Sequence, residues 1–290
     1  MAANDVPGPS TPGRPSGDAA GSVRLDRVQN TGLVAVSGPL EDVAEVAHRA
    51  LLDTLADDVT AVICDLSQAT GPPDSESTAL LASVGSEVRQ WPGTPVGMVC
   101  PAVRLREGIA RHPDSRYLVI AERRRQVLAG LARRPHATVV QASLPPVARS
   151  ARAARDLVAR TLLDWGCGPQ IGGATLVVSE LVTHAMLYAD SDLLVTVARC
   201  GSQVRVSVRD ANRTNTQLLG VESARISHRG LLLVAAVSES WGVLPTSDGG
   251  KVVWAVLAAN PRSTRTFGSA SGRAAGTPRP RRPSGQGPGR

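Results

Sequence analysis

Two residues one helical turn apart open the chemistry of this chain. In SELVTHAMLYA, residues 179 to 189, Leu181, Val182, Ala185 and Ala189 fall at helical spacing and form an apolar stripe. Glu180 and His184 sit four apart on another side, with Thr183 between them. A carboxylate and an imidazole so placed suit a surface contact, a metal pair or part of a nucleotide site. A metal pair needs a third ligand, and none stands nearby in sequence. Further along, Asp210 leaves a valine-rich run, Arg229-Gly230 opens an apolar one, and Gly249-Gly250-Lys251 precedes another. In the first half, Ser75 and Ser77 stand before a helical pattern. A serine there caps the helix or, phosphorylated, sets charge against its N-terminus.

These positions require a frame. Residues 32–38, GLVAVSG, read as a strand ended by Gly-Pro. Val43, Val46, Ala47, Ala50, Leu51 and Leu55 then mark an amphipathic helix. VTAVICDLS, PVGMVC and RYLVIA read as strands, with helices over STALLASVGSEVRQW and AVRLREGIARH between them. That alternation predicts an α/β layer with parallel pairing. A short arginine-rich helix within 122–134 is expected to link the halves. The second half reads as a strand (ATVVQASL), two helices, and an antiparallel hairpin around Gly201-Ser202. In that hairpin Val204, Val206 and Val208 alternate with Arg205, Ser207 and Arg209, which predicts one face in the core and one in solvent. RGLLLVAAVSESWG reads as a helix and GGKVVWAVLAA as a closing strand, with Lys251 on the solvent side and Trp241 and Trp254 in the core. The expected class is α/β followed by α+β, the second half being an antiparallel sheet with helices on one face.

Composition narrows the function classes. The chain has 290 residues and 42% apolar content, enough for two cores. Its formal net charge is +7, and residues 261–290 hold seven arginines and no acid, which accounts for all of it. The high pI therefore describes a tail rather than a basic domain, and no specific nucleic-acid surface is expected. The four cysteines are widely separated, without a CxxC pair, and read as free thiols in a reducing cytoplasm. No run approaches the ~18 apolar residues of a membrane span, and the N-terminus has no signal-peptide core.

The second half, about 137–259, resembles the histidine-kinase-like ATPase domain, most closely its anti-sigma-factor serine kinase branch. Glu180-Leu181-Val182-Thr183-His184-Ala185 stands where that family has E-L-V-[TS]-N-A. Val208-Arg209-Asp210 matches its V-x-D, and His228-Arg229-Gly230-Leu231 its G-R-G-L. Trp241-Gly242-Val243 matches W-G-V, and residues 249–254, GGKVVW, match G-G-K-T-V-W. The resemblance implies ATP and Mg2+ as cofactors. It casts Glu180 as general base toward a protein serine and Asp210 as acceptor for the adenine amino group. Arg229, Gly230 and Gly250 would border the phosphates and the nucleotide, and His184 would hold the magnesium position. Three departures predict a weakened site: His184 replaces an asparagine oxygen that magnesium prefers, His228 replaces a lid glycine, and Val252 replaces a hydroxyl.

The first half, residues 23–122, resembles a STAS domain, the module of anti-sigma-factor antagonists. Gly38-Pro39-Leu40-Glu41 and Asp65-Leu66-Ser67 carry the likeness, and an ungapped count places Ser75 at the family's phosphorylated serine. Gly71-Pro72-Pro73 and Glu76 depart from the pattern. The expected organisation is a disordered 1–22, a STAS-like 23–122, a linker helix 123–136, an ATPase-like 137–260 and a disordered tail 261–290. The implied role is an ATP-binding, cytoplasmic regulator in partner-switching control of transcription. Its partner would be a sigma factor or a STAS-domain antagonist, and a homodimer is left open. The alternative is a non-catalytic interaction module that binds no nucleotide.

Overall fold

The structure, a computed structural model, describes residues 21–71, 75–187, 191–211, 228–246 and 248–258; of His228 and Arg229 only the backbone is described. The expected disorder of 261–290 and of 1–20 falls outside these residues, whereas Ser22, also expected in the disordered segment, opens a strand.

The first half is an α/β layer. Strands β1 (Ser22–Val28), β2 (Thr31–Pro39), β3 (Ala61–Thr70), β4 (Val96–Val99) and β5 (Leu118–Ala121) form one sheet in the order β1-β2-β3-β4-β5. The β1–β2 pair is antiparallel and the others are parallel. Helices α1 (Leu40–Ala56), α2 (Ser75–Gln90) and α3 (Val103–Arg111) supply the crossovers that parallel strands require. The buried stripe of α1, Val43, Ala47, Ala50, Leu51 and Leu55, packs with Leu81, Leu105 and Ile109. Val46, counted on that stripe from the sequence, is exposed. Strand β1 was not anticipated: it is exposed along most of its length and gives no burial pattern to read. The arginine-rich helix α4 (Arg124–Leu131), expected as a link, packs Val127 and Leu131 on the opposite face of the sheet with Ala61, Ile63 and Val99.

The second half is a five-stranded antiparallel sheet ordered β6-β7-β8-β10-β9: β6 (Thr138–Leu144), β7 (Leu193–Cys200), β8 (Gln203–Asp210), β10 (Lys251–Leu257) and β9 (Ser240–Pro245). Helices α5 (Arg149–Asp164), α6 (Ile171–Met186) and α7 (His228–Val237) cover one face. Val195, Val197, Val204, Val206, Val208, Val253, Ala255 and Leu257 meet them there. The expected helix through residue 242 stops at Val237, and Ser240–Pro245 is strand β9 instead. Gly242 is needed there because a Cβ would come within 2.8 Å of the Trp254 ring. Trp254 is buried as expected, whereas Trp241 is exposed.

The other face of this sheet is not in solvent. Val252, Trp254 and Val256 of β10, with Leu244 of β9, belong to the same apolar core as α1, α2 and Trp91 of the first half. Arg205 and Ser207 are buried with them, so the hairpin expected to be half-buried is covered on both sides. Among the described residues, no helix is long and apolar enough to cross a membrane.

Candidate functional site

At the end of β8 the chain presents Asp210, and the first residue of β10, Lys251, is its cross-strand partner. The Lys251 Nζ lies 3.1 Å from one carboxylate oxygen of Asp210 and 3.0 Å from the other. Both side chains are buried, 2% and 1% exposed. Lys251, expected on the solvent side, is thus inside. The register explains why: positions 251, 253, 255 and 257 share the helix-facing side of β10 with the buried Val253, Ala255 and Leu257. An ammonium brought into that layer requires a carboxylate beside it.

Helix α6 crosses above this pair. Its buried residues Ala174, Val177, Val178, Leu181, Val182 and Ala185 fix its rotation, which leaves Glu180 and His184 half-buried on one side. His184 feels both members of the pair. Burial first, then the Lys251 ammonium, hold its pKa below the ordinary value of 6.5, and Asp210 offsets this in part. The imidazole is therefore neutral at neutral pH. Glu180, one turn earlier, faces the start of α7: a Cβ built on Gly230 would lie 2.5 Å from its Oε2. Glycine at 230 thus lets the helix start approach the carboxylate. Gly250 has a similar reason, since a Cβ there would collide with the Asp210 carbonyl oxygen and reach within 2.8 Å of Ala211 Cα.

The structure accordingly brings together Glu180, His184, Asp210, Gly230 and Gly250, which come from four separated sequence motifs, and adds Lys251. The Arg229 side chain, the His228 side chain and residues 212–227 lie outside the described residues. Ser75 is exposed at the first position of α2, well away in sequence and sheet from this cluster. Two hollows outlined on the described surface lie elsewhere. One of about 390 Å3 sits beside the starts of α1 and α3, lined by Leu40, Gly71 and Arg104. The other, about 350 Å3, lies between the halves beside Asp57, Asp58, Gln141 and Arg205.

No family model matches the chain, and no curated protein matches it. Among solved structures, an anti-sigma factor antagonist from Mycobacterium paratuberculosis is similar at a TM-score of 0.31 and 19% identity, covering 39% of this chain and 94% of its own. No residue role is carried over from that likeness.

A second set of polar residues, which includes the arginines expected on the solvent face of the hairpin, joins the halves. Arg205 donates from Nη2 to Asp58 Oδ1 at 2.6 Å and to Ser207 Oγ from Nη1 at 3.2 Å. Its guanidinium lies 3.8 Å from the centre of the Trp91 ring, and Trp91 meets Trp254 edge to face at 5.7 Å. Arg209 bridges Asp57 at 2.6 Å and Asp248 at 3.0 Å. Asp58 follows α1 with a positive φ of 53°, a region aspartate enters more readily than most residues, and so turns its carboxylate to the second half. One sequence signal pointed to this contact: the unbroken apolar run after Lys251, which marks a strand covered on both faces.

Proposed function

We propose that the chain is a two-domain regulator of the partner-switching kind, whose ATPase-like half serves as a protein dock and no longer transfers phosphoryl groups. The observation that carries this reading is the Asp210–Lys251 pair: the carboxylate expected to receive an adenine amino group already takes a hydrogen bond on one oxygen from a buried ammonium and is ion-paired to it. The expected magnesium position adds to it. His184 there offers a neutral nitrogen, whereas magnesium takes oxygen donors in octahedral geometry. These residues do not match a magnesium-bound triphosphate, so no phosphoryl step is assigned to Glu180. The resemblance of residues 23–122 to a STAS domain supplies the regulatory context, with a sigma factor or a STAS-domain protein as the partner class.

A second reading, a retained ATP site, is favoured by one feature: Glu180, His184, Asp210, Gly230 and Gly250 converge although their motifs are far apart in sequence. Titration calorimetry of the full chain with ATP, with and without magnesium, separates the two. The dock predicts no saturable heat in either condition. Saturable, magnesium-dependent binding overturns it in favour of the second reading. His184→Asn restores an oxygen donor; on the dock reading it leaves the titration flat, because Asp210 remains held.

A further inference from the structure

The first sheet leaves an open edge at β1. This strand ends the sheet, pairs with β2 alone and is exposed along most of its length. An open edge is a row of backbone donors and acceptors that another strand can use, and neither a proline nor a bulge blunts this one. The turn after it decides which backbone groups point outward. Gln29, with a positive φ of 56°, and Asn30 form a two-residue loop, so Val28 and Thr31 on either side of it face each other as a hydrogen-bonded pair. Alternation along an antiparallel ladder then turns the backbone of residues 22, 24, 26 and 28 toward β2 and that of Val23, Leu25 and Arg27 outward. The side chains alternate as well. Val23 and Leu25 stand opposite Val36 and Val34, which lie in the core with α1. Arg24 and Asp26 stand on the other face, opposite Ala35 and Leu33. Among the described residues, neither Arg24 nor Asp26 joins an ion pair.

We infer that β1 pairs with β1 of a second copy of this chain, antiparallel and centred on Leu25, so that two first-half sheets join across a two-fold axis. Charge complementarity selects both the occupant and the register. With Leu25 at the axis, Leu25 faces its own counterpart and Val23 faces the second copy's Arg27, each as a hydrogen-bonded pair of outward groups. Arg24 then falls opposite the second copy's Asp26, and Asp26 opposite its Arg24. These are the non-hydrogen-bonded positions, where facing side chains come closest. Centring on Arg24 or on Asp26 would set like charges face to face. Centring on Val23 or Arg27 would leave both residues without a counter-charge. The α1 side of the edge is apolar to match. Leu25 is 50% exposed, and Val43 of α1 lies over the start of β1, where a Cβ on Gly21 would meet its Cγ1. Val46, one turn further along α1, is the exposed valine of that helix, at 53%. The contact involves no residue of the Asp210 cluster, and it stands whether that cluster docks a protein or holds ATP.

The test is sedimentation velocity of the full chain over a concentration series. One short strand per copy makes a small interface, so a dissociation constant on the order of 10–100 μM is expected. Arg24→Asp places like charges opposite each other at two symmetry-related positions and should weaken the dimer about tenfold. The exchange Arg24→Asp/Asp26→Arg restores opposite signs and should return the constant to within about threefold of the parent. Leu25→Pro removes an outward N–H and none that bonds β2, and should abolish the dimer. Both charge variants alter exposed side chains only, so they decide the matter even if the proline variant does not fold. Amide exchange locates the contact: protection of the Leu25 N–H should rise with protein concentration. A chain that stays monomeric to about 500 μM overturns the proposal. So does a dimer that is indifferent to Arg24→Asp, that the charge exchange fails to restore, or that forms without protecting Leu25.

Discussion

Strands β8 and β10 carry a buried ion pair on each face, and the two pairs are built differently. On the helix-covered face, Asp210 and Lys251 are cross-strand neighbours in one ladder, so sheet formation alone brings them together. On the other face, Arg205 reaches Asp58 across 147 positions of sequence, and the pair exists only when the first half is docked. The first pair ties two strands inside one half; the second joins the two halves. Neighbouring residues of a strand, 209 and 210, thus serve separate ends.

Arg205→Ala should have the largest effect. It strands a buried Asp58 and removes the cation from the Trp91 ring, for a loss of about 3–5 kcal/mol in urea unfolding. Lys251→Met comes next, at about 3 kcal/mol, because Asp210 is then buried without its counter-charge. The double variant Asp210→Asn/Lys251→Met should return to within about 1 kcal/mol of the parent, since a neutral pair of similar size carries no desolvation debt. If the double variant is as unstable as Lys251→Met, the charges themselves are not what the site must satisfy. Gly230→Ala should cost about 1–2 kcal/mol, as the Glu180 carboxylate must shift from the new methyl. Ser75→Ala, at an exposed helix start, should change stability by about 0.5–1 kcal/mol and leave both ion pairs intact. These differences can be read by chemical denaturation with tryptophan emission, Trp91 reporting on the docked face.

Much of the frame was legible because its signals are local. The stripe of α6 and the alternation of β8 each follow from a period in a short window. What failed depends on neighbours distant in sequence. Residues 238–242 follow directly on an apolar helical run, yet β10 takes 240–242 as strand partners. Arg205 and Arg209 alternate with valines as a solvent face would, yet the first half buries Arg205 against Asp58 and partly covers Arg209 beside Asp57. Lys251 was placed outside because a lone lysine after two glycines looks like a turn, whereas the ladder with β8 carries it in. At the candidate site the motif order names Glu180, His184 and Asp210, which stand near one another in the fold, while the ion pair at Asp210 needed the register of β10.

Lys251 is the chain's one lysine, and it is closed within the sheet. The folded surface therefore carries its positive charge on arginine alone and offers acetylating enzymes, ubiquitin ligases or succinimidyl cross-linkers no accessible ε-amine. Acylation of residue 251, followed by mass spectrometry, would act as a clock for how often the β8–β10 ladder opens at that end.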